Sequence, residues 1–432
     1  MNFFKKNKRL TLLLVLVSLI LAPVFLYNGV LDAQAPGAPD EGRTSGSDLR
    51  APGPLLAPGT PEVMISLATL NSWINNGYNN GVPDQSGYTK MAILSVQPNT
   101  DYANGHPTGA YQWEQSELRT FRSDGVLSIK QNVATQPLMD VILQKAGIDA
   151  DTVVVLTGNN MQQLGLAYFN FRYWGFPRGR LRVVNGLIKD HISAGYSWDT
   201  NTPAPVGSTD TVCNEDQSTS VDELRASLAE IISVAADGDP TTIPFDVRSE
   251  SEWDGTQVRS DVAFQGHIRT AVWNEWKDQT TTGTSGAPGT EIKDAASLTA
   301  IFNGIGITSA DTSYIYCQTA TRTGVSFLAL DAVLGWRVKK VDGSWVEWGN
   351  LTDEGGTLPA NSPWRTDCGV SGATACTAIP TPATVSEAVS FASTGGAVLS
   401  CPYAAAADAT NENDIQICAT SIQNTDCNGE IN

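Results

Sequence analysis

The sequence predicts an α/β protein built twice over: two tandem domains, each a mostly parallel sheet with helices on both faces, followed by a cysteine-containing C-terminal extension. Two observations predict it. Short apolar runs alternate with helical patterns, as βαβ units require. Three segments also recur in order. Gly105-His106-Pro107 is echoed by Gly266-His267-Ile268, Gly147-Ile148-Asp149 by Gly306-Ile307-Thr308, and Val184-Asn185-Gly186 by Val341-Asp342-Gly343, at offsets of 161, 159 and 157 residues. Three echoes in register indicate a tandem duplication. The length of 432 residues, with 41% hydrophobic and 17% charged, is enough for two or three packed domains.

At the N-terminus, Lys5, Lys6, Lys8 and Arg9 precede an apolar run of 18 residues, Leu10 to Tyr27, and then Ala33-Gln34-Ala35. A charged region, an apolar stretch and a small-residue A-x-A site make residues 1–35 a secretory signal, with an uncleaved membrane anchor as the other reading. Both predict an exported chain, periplasmic, extracellular or membrane-anchored facing outward. Residues 36–60 are rich in Pro, Gly and Ala and read as a linker. The first copy is expected over 61–205, a linker over 206–222 and the second copy over 223–350.

Within the second copy, 243–247 reads as a buried strand, 295–302 as a helix, 313–316 as a strand and 324–334 as a helix. In parallel sheets ligands sit outside the carboxyl ends of the strands. At that end of 313–316 stands Cys317, followed by Gln318-Thr319-Ala320-Thr321-Arg322. A tight loop leading into a helix N-terminus turns backbone N–H groups and the positive helix end toward the thiol, and both favour thiolate. Such a thiolate suits attack on a sulfane sulfur or on phosphorus. Without further context, a strand-end cysteine reads as a small buried hydrophobe.

The context is specific. Strand, Cys317, short loop and helix are preceded by Asp246-Val247-Arg248, Glu252-Trp253 and Gly266-His267-Ile268. They are followed by Asp342-Gly343-Ser344-Trp345-Val346-Glu347-Trp348-Gly349. This pattern resembles the rhodanese family of sulfurtransferases, and the tandem arrangement resembles the thiosulfate and mercaptopyruvate sulfurtransferases, in which only the C-terminal copy is active. The resemblance covers about residues 60–365. It implies catalysis by Cys317, with Gln318, Thr319, Ala320, Thr321, Arg322 and Arg248 as substrate-binding residues and no metal or organic cofactor. It also implies a small sulfur-containing anion (thiosulfate, polysulfide or a mercaptopyruvate-like donor), a Cys317 persulfide, and a thiol or cyanide acceptor.

The alternatives are a non-catalytic sulfur-binding or scaffold protein of the cell envelope, and a cysteine-dependent phosphatase. In the related phosphatases five residues separate Cys from Arg; here four separate Cys317 from Arg322. Arg322 is expected to steer an anionic donor or to bond loop carbonyls, and Arg248 also reads as a fold-stabilising residue. The tandem enzymes carry a second Arg shortly after D-x-R, where this chain has Glu252.

In the first copy, Thr157 stands at the position of Cys317, which predicts an inactive copy that shapes a cleft. Arg172, Arg178, Arg180 and Arg182 read as solvated residues, or as donors of charge to that cleft. His106 and His267 read as core or turn residues rather than bases. A net charge of −18 argues against nucleic acid as a partner, and three separated His without a C-x-x-C pair argue against zinc or haem.

Residues 351–432 carry one basic residue against nine acidic ones, a net of −8, and five cysteines: Cys368, Cys376, Cys401, Cys418 and Cys427. They read as an acidic, disulfide-stapled extension that docks on the body or binds a partner. Setting Cys317 apart as the free thiol leaves these five and Cys213, an even set able to form three disulfides with open connectivity.

Overall fold

The computed structural model describes residues 62–77, 88–123, 128–215, 224–226, 230–231, 234–235, 239–262, 265–268, 270–283, 289–351 and 366–367. All of them fall within one compact unit. The N-terminal signal or anchor, the linker over 36–60 and the five tail cysteines lie outside the described residues.

Two five-stranded sheets share one topology. The first runs, in spatial order, Met64–Ile65, Leu181–Val184, Thr152–Gly158, Lys90–Val96 and Tyr111–Trp113. The second runs Arg225–Ala226, Arg337–Val341, Thr312–Tyr316, Thr242–Asp246 and Val272–Trp273. Every pairing in both sheets is parallel. The strand Thr152–Gly158 is buried along its whole length, because a central parallel strand has both faces covered. The expected 243–247 and 313–316 runs appear as Thr242–Asp246 and Thr312–Tyr316. The expected helix over 295–302 is Ala295–Gly304, started by Asp294, whose side chain accepts from the Ser297 N–H.

The helices that follow the two central strands pack on each other. In the first copy this helix is Met161–Tyr173, capped by Asn160, which accepts from the N–H groups of Gln162 and Gln163. In the second it is Thr323–Phe327, which widens into a π-helical stretch over Leu328–Leu334. They touch where neither has a side chain: a Cβ on Gly165 would stand 2.0 Å from the Gly324 carbonyl oxygen.

The arginine cluster is neither solvated nor in a cleft, which corrects both sequence expectations. Arg172 and Arg178 are buried against Asp331 of the second copy, at 3.4 and 2.9 Å. Arg180 pairs with Glu215 at 2.7 Å, and Arg182 donates to the carbonyls of Gly179 and Leu181. The segment after the first copy folds back on it, with the Val206 and Ser208 N–H groups donating to Lys145 and Gln144 carbonyls. Beyond the second copy, Thr366–Asp367 adds antiparallel to His267–Ile268, so the extension touches the body there.

Candidate active site around Cys317

The strand Thr312–Tyr316 delivers Cys317 at its carboxyl end, as a free and fully buried thiol. The loop after it is gripped by the segment that follows the neighbouring strand. Ser344 sits at φ +50°, and its Oγ accepts from the Cys317 N–H at 3.3 Å while donating to the Val341 carbonyl. Trp345 and Val346 then donate their N–H groups to the carbonyls of Cys317 and Gln318, both at 2.9 Å. The Asp-Gly-Ser-Trp run is therefore the clamp that fixes where the thiol points.

With those carbonyls held, the loop turns its N–H groups elsewhere. Among the described residues, the N–H groups of Gln318, Thr319, Ala320 and Thr321 donate to no protein acceptor. Ala320 lies at φ +57°, the left-handed conformation that lets successive N–H groups converge. The Thr323 hydroxyl closes the loop by donating to the Ala320 carbonyl at 2.7 Å.

The sequence-predicted site residues divide as follows. Gln318 is buried, and its Nε2 donates to Asp261 at 3.0 Å. Ala320 is buried, whereas Thr319, Thr321 and Arg322 are half-buried and form the outer part of the loop. Among the described residues, Arg322 bonds none of the loop carbonyls. It makes a bidentate pair with Glu252, at 2.6 and 2.8 Å. Glu252 is pinned as well by the Ser249 N–H and hydroxyl at 3.2 and 2.8 Å. Burial alone would raise the Glu252 carboxyl, but Arg322, and behind it Arg248 and Ser249, hold it at about 2. Burial lowers the Arg322 guanidinium; Glu252 and the charge of Cys317 outweigh that and hold it above its ordinary value.

Arg248 bears out the fold-stabilising expectation, through Asp and carbonyl contacts, and not the substrate-binding one. Expected also among the substrate-binding residues, it is 1% exposed and donates to both Asp246 oxygens and to the Gly266 carbonyl. Its guanidinium lies 4.4 Å over the Trp345 ring. It braces the strand end and the clamp rather than facing a ligand.

His267 and His106 are core residues in both copies, as expected. Each stacks on an aromatic ring, Trp253 at 3.4 Å and Tyr102 at 3.8 Å, and each bonds a carbonyl through Nδ1. Burial is the main reason that His267 is pushed down to about 4. Under the clamp, Asp342 is held ionised against burial by Lys340 and Arg225. Burial pushes nearby Glu347 up to about 7.

Thr157, at the position of Cys317 in the first copy, is fully buried, and its hydroxyl has no hydrogen-bond partner. Among the described residues, no side chain that could act as a base hydrogen-bonds it.

Sequence reasoning missed Arg119. This first-copy residue donates from Nη1 to the Thr321 hydroxyl at 2.8 Å, across 202 positions of chain. It belongs to no motif, so no local signal could have found it.

This fold and this loop are those of a rhodanese-type protein. A rhodanese-like domain model matches residues 229–351. The sulfur carrier protein TtuD of Thermus thermophilus is 30% identical over 301 residues, which span 67% of this chain and 95% of that protein. The thiosulfate sulfurtransferase of Pseudomonas aeruginosa is 31% identical over 170 residues, 39% of this chain and 57% of that one. Two solved structures share the fold. The anaerobic ergothioneine biosynthesis enzyme of Chlorobium limicola, in complex with trimethyl histidine, has a TM-score of 0.54 at 20% identity, covering 67% of this chain and 68% of that one. YnjE has a TM-score of 0.54 at 18% identity, covering 75% of this chain and 70% of that one. The chain belongs to the rhodanese family.

Proposed function

We propose that the protein is a sulfurtransferase in which the Cys317 thiolate takes a sulfane sulfur from a small anionic donor, holds it as a persulfide and passes it to a thiol or cyanide. The observation that carries this reading is the Cys317 loop itself: a free thiol at a strand end, followed by four residues whose N–H groups no protein acceptor takes among the described residues. Such a nest stabilises the second negative sulfur as it develops. The names of the two relatives, a sulfur carrier and a thiosulfate sulfurtransferase, support the same chemistry. Thr157 leaves the first copy a supporting role.

Incubation of the full chain with thiosulfate or polysulfide, followed by intact mass spectrometry, tests the reading. One added sulfur is expected, absent in Cys317→Ser and discharged by cyanide. No adduct with any sulfane donor sinks the proposal and leaves the sulfur-binding or scaffold reading. Aryl phosphate turnover dependent on Cys317 would instead indicate the phosphatase.

We further propose that the chain is exported, with residues 1–35 as signal or anchor and disulfides in the extension. The charged and apolar layout of the N-terminus supports this. So does Cys213, which is disulfide-bonded. Cell fractionation tests it, and recovery of the chain from the cytoplasm with all thiols reduced would overturn it.

A further inference from the structure

We infer that Lys340, a buried lysine on the sheet face that carries Cys317, is a positioning residue: its ammonium gives the thiolate a counter-charge on its buried side. Only the reaction that this serves rests on the sulfurtransferase reading above.

The strands place the two groups on one face. In the second sheet Ile315 stands in parallel register with Lys340, so their side chains leave the sheet on the same side. Cys317 and Asp342 each lie two residues further on, which returns them to that side. Packing agrees. Ile315 and Cys317 belong to the buried apolar cluster that includes Phe169 and Phe327. Tyr316, between them, turns the other way, and its hydroxyl accepts from the Ile268 N–H. The Lys340 Nζ lies 4.6 Å from the Phe169 ring centroid, so the ammonium enters the same cluster.

A lysine is costly in such a place, and Lys340 is 1% exposed. Asp342 accepts from it and from the Arg225 Nε, the latter at 3.1 Å. The Val133 N–H of the first copy donates to the same carboxylate at 2.9 Å. One carboxylate thus receives two cations and an N–H group. Burial pushes the Lys340 ammonium below its ordinary value and Arg225 adds to this, while Asp342 and the charge of Cys317 pull against them. The coupling is reciprocal: a thiolate that favours the charged lysine is favoured by it equally. Away from water that attraction is stronger than between surface charges.

The other charged groups around the thiol approach differently. Arg322, bound to Glu252, and Arg119 of the first copy, on Thr321, stand along the loop, and Asp261 meets it at Gln318. Asp246, in register with Tyr316, faces the far side of the sheet and holds Arg248. Glu347 and Arg225 lie with Asp342 beneath the clamp. Lys340 stands directly beside the strand of Cys317.

The reaction uses this charge before sulfur arrives. The thiolate electron pair forms a bond to the sulfane sulfur, the donor's bond to that sulfur breaks, and its leaving group departs with the bonding pair. The negative charge then rests on the outer sulfur of the persulfide. The Lys340 proton stays on its nitrogen throughout.

In the test, thiolate ultraviolet absorbance is followed against pH, as the difference between each chain and its Cys317→Ser counterpart. In Lys340→Gln, which keeps a donor for Asp342 but no charge, the midpoint should move to higher pH by about half a unit or more. Lys340→Met should shift it in the same direction, and Lys340→Arg should leave it near the wild-type value. Single-turnover sulfur loading by Lys340→Gln should slow about threefold or more below the midpoint and recover above it. An unmoved midpoint in the folded neutral variants overturns the inference. So does an equal shift in Lys340→Arg, or a loading defect that persists at high pH, since either marks a merely structural residue. Glu347 titrates at about 7 nearby, so the shift must also survive in a Glu347→Gln background, and its loss there overturns the inference. The absorbance readout uses no sulfur donor. It therefore stands apart from the sulfurtransferase reading, which fails on its own if no donor loads the wild-type chain.

Discussion

Arg322 and Glu252 form a two-pronged ion pair beside Cys317, with Nη1 to Oε2 at 2.6 Å and Nη2 to Oε1 at 2.8 Å. The loop arginine that could have drawn in an anion is thereby neutralised by the residue standing where the tandem enzymes carry a second arginine. Releasing it should change both binding and stability. In Glu252→Gln, thiosulfate loading should half-saturate at lower concentration, because no carboxylate any longer offsets the charge of Arg322. Unfolding in urea should show a loss of about 1–3 kcal/mol, since a nearly buried charge loses its partner. Glu252 titrates at about 2 in the folded chain against an ordinary 4.5, so the stability it supplies is complete above about 4.5 and is lost as pH falls toward 2. The variant should lack that part of the acid dependence.

His267 and Glu347 should oppose each other in the pH dependence of stability. His267 is pushed down to about 4 from 6.5, so the unfolded chain binds the extra proton and stability falls as pH drops from 6.5 toward 4. Glu347 is pushed up to about 7 from 4.5, so the folded chain holds the extra proton and stability falls as pH rises from 4.5 toward 7. Between about 4.5 and 6.5 the two slopes cancel in part. Glu347→Gln should therefore steepen the rise of stability with pH in that window, and His267→Gln should reverse it. Chemical denaturation at several pH values checks both signs. Identical profiles for the two variants would refute the assignment.

The chain reveals its fold through local pattern and its site only in part. Strands such as Thr152–Gly158 are continuous apolar runs, and the repeat in sequence reappears as a repeated strand order, so both were legible. Cys317 was legible because the thiol, the four-residue spacing to Arg322 and the Asp-Gly-Ser-Trp run all lie within 30 positions of chain. The partners of the arginines were not. Arg322 finds Glu252 across 70 positions, and Arg119 finds Thr321 across 202, so neither contact has a periodic or spaced signature. The cluster from Arg172 to Arg182 misled for a related reason: composition suggests solvent, whereas Arg172 and Arg178 are paired across the two copies with Asp331, and Arg180 and Arg182 with Glu215 and nearby carbonyls.

Gly165 and Gly324 should tolerate no side chain. A Cβ on Gly324 would stand 2.3 Å from the Gln162 carbonyl oxygen, and one on Gly165 would meet the Gly324 backbone. Both obstacles are backbone, so relief requires one copy to shift against the other. Gly324→Ala and Gly165→Ala should each cost about 1–3 kcal/mol or more. Gly324 directly follows Arg322 and Thr323, so sulfur loading should slow in Gly324→Ala even where the protein stays folded. Thermal unfolding and loading kinetics on the same samples measure the two effects. Unchanged melting in both variants would mean that the helices cross elsewhere.

Asp331 should be the most sensitive residue of the interface between the copies. Fully buried, it accepts from Tyr168 at 2.5 Å and Arg178 at 2.9 Å, with Arg172 at 3.4 Å, all three from the first copy. Two guanidiniums share this one carboxylate. Several of their nitrogens, Nε and Nη2 of Arg172 and Nε and Nη1 of Arg178, have no hydrogen-bond partner among the described residues. Asp331→Asn keeps the shape but leaves both cations without a counter-charge in a buried setting, and should cost about 3–5 kcal/mol. The loss belongs to the stranded charges rather than to the pair. Adding Arg178→Met to Asp331→Asn should therefore recover part of the stability, with a coupling of at least ~1 kcal/mol in the double-mutant cycle. Additive losses would show that the carboxylate and the guanidinium act independently, and that packing around them holds the copies together.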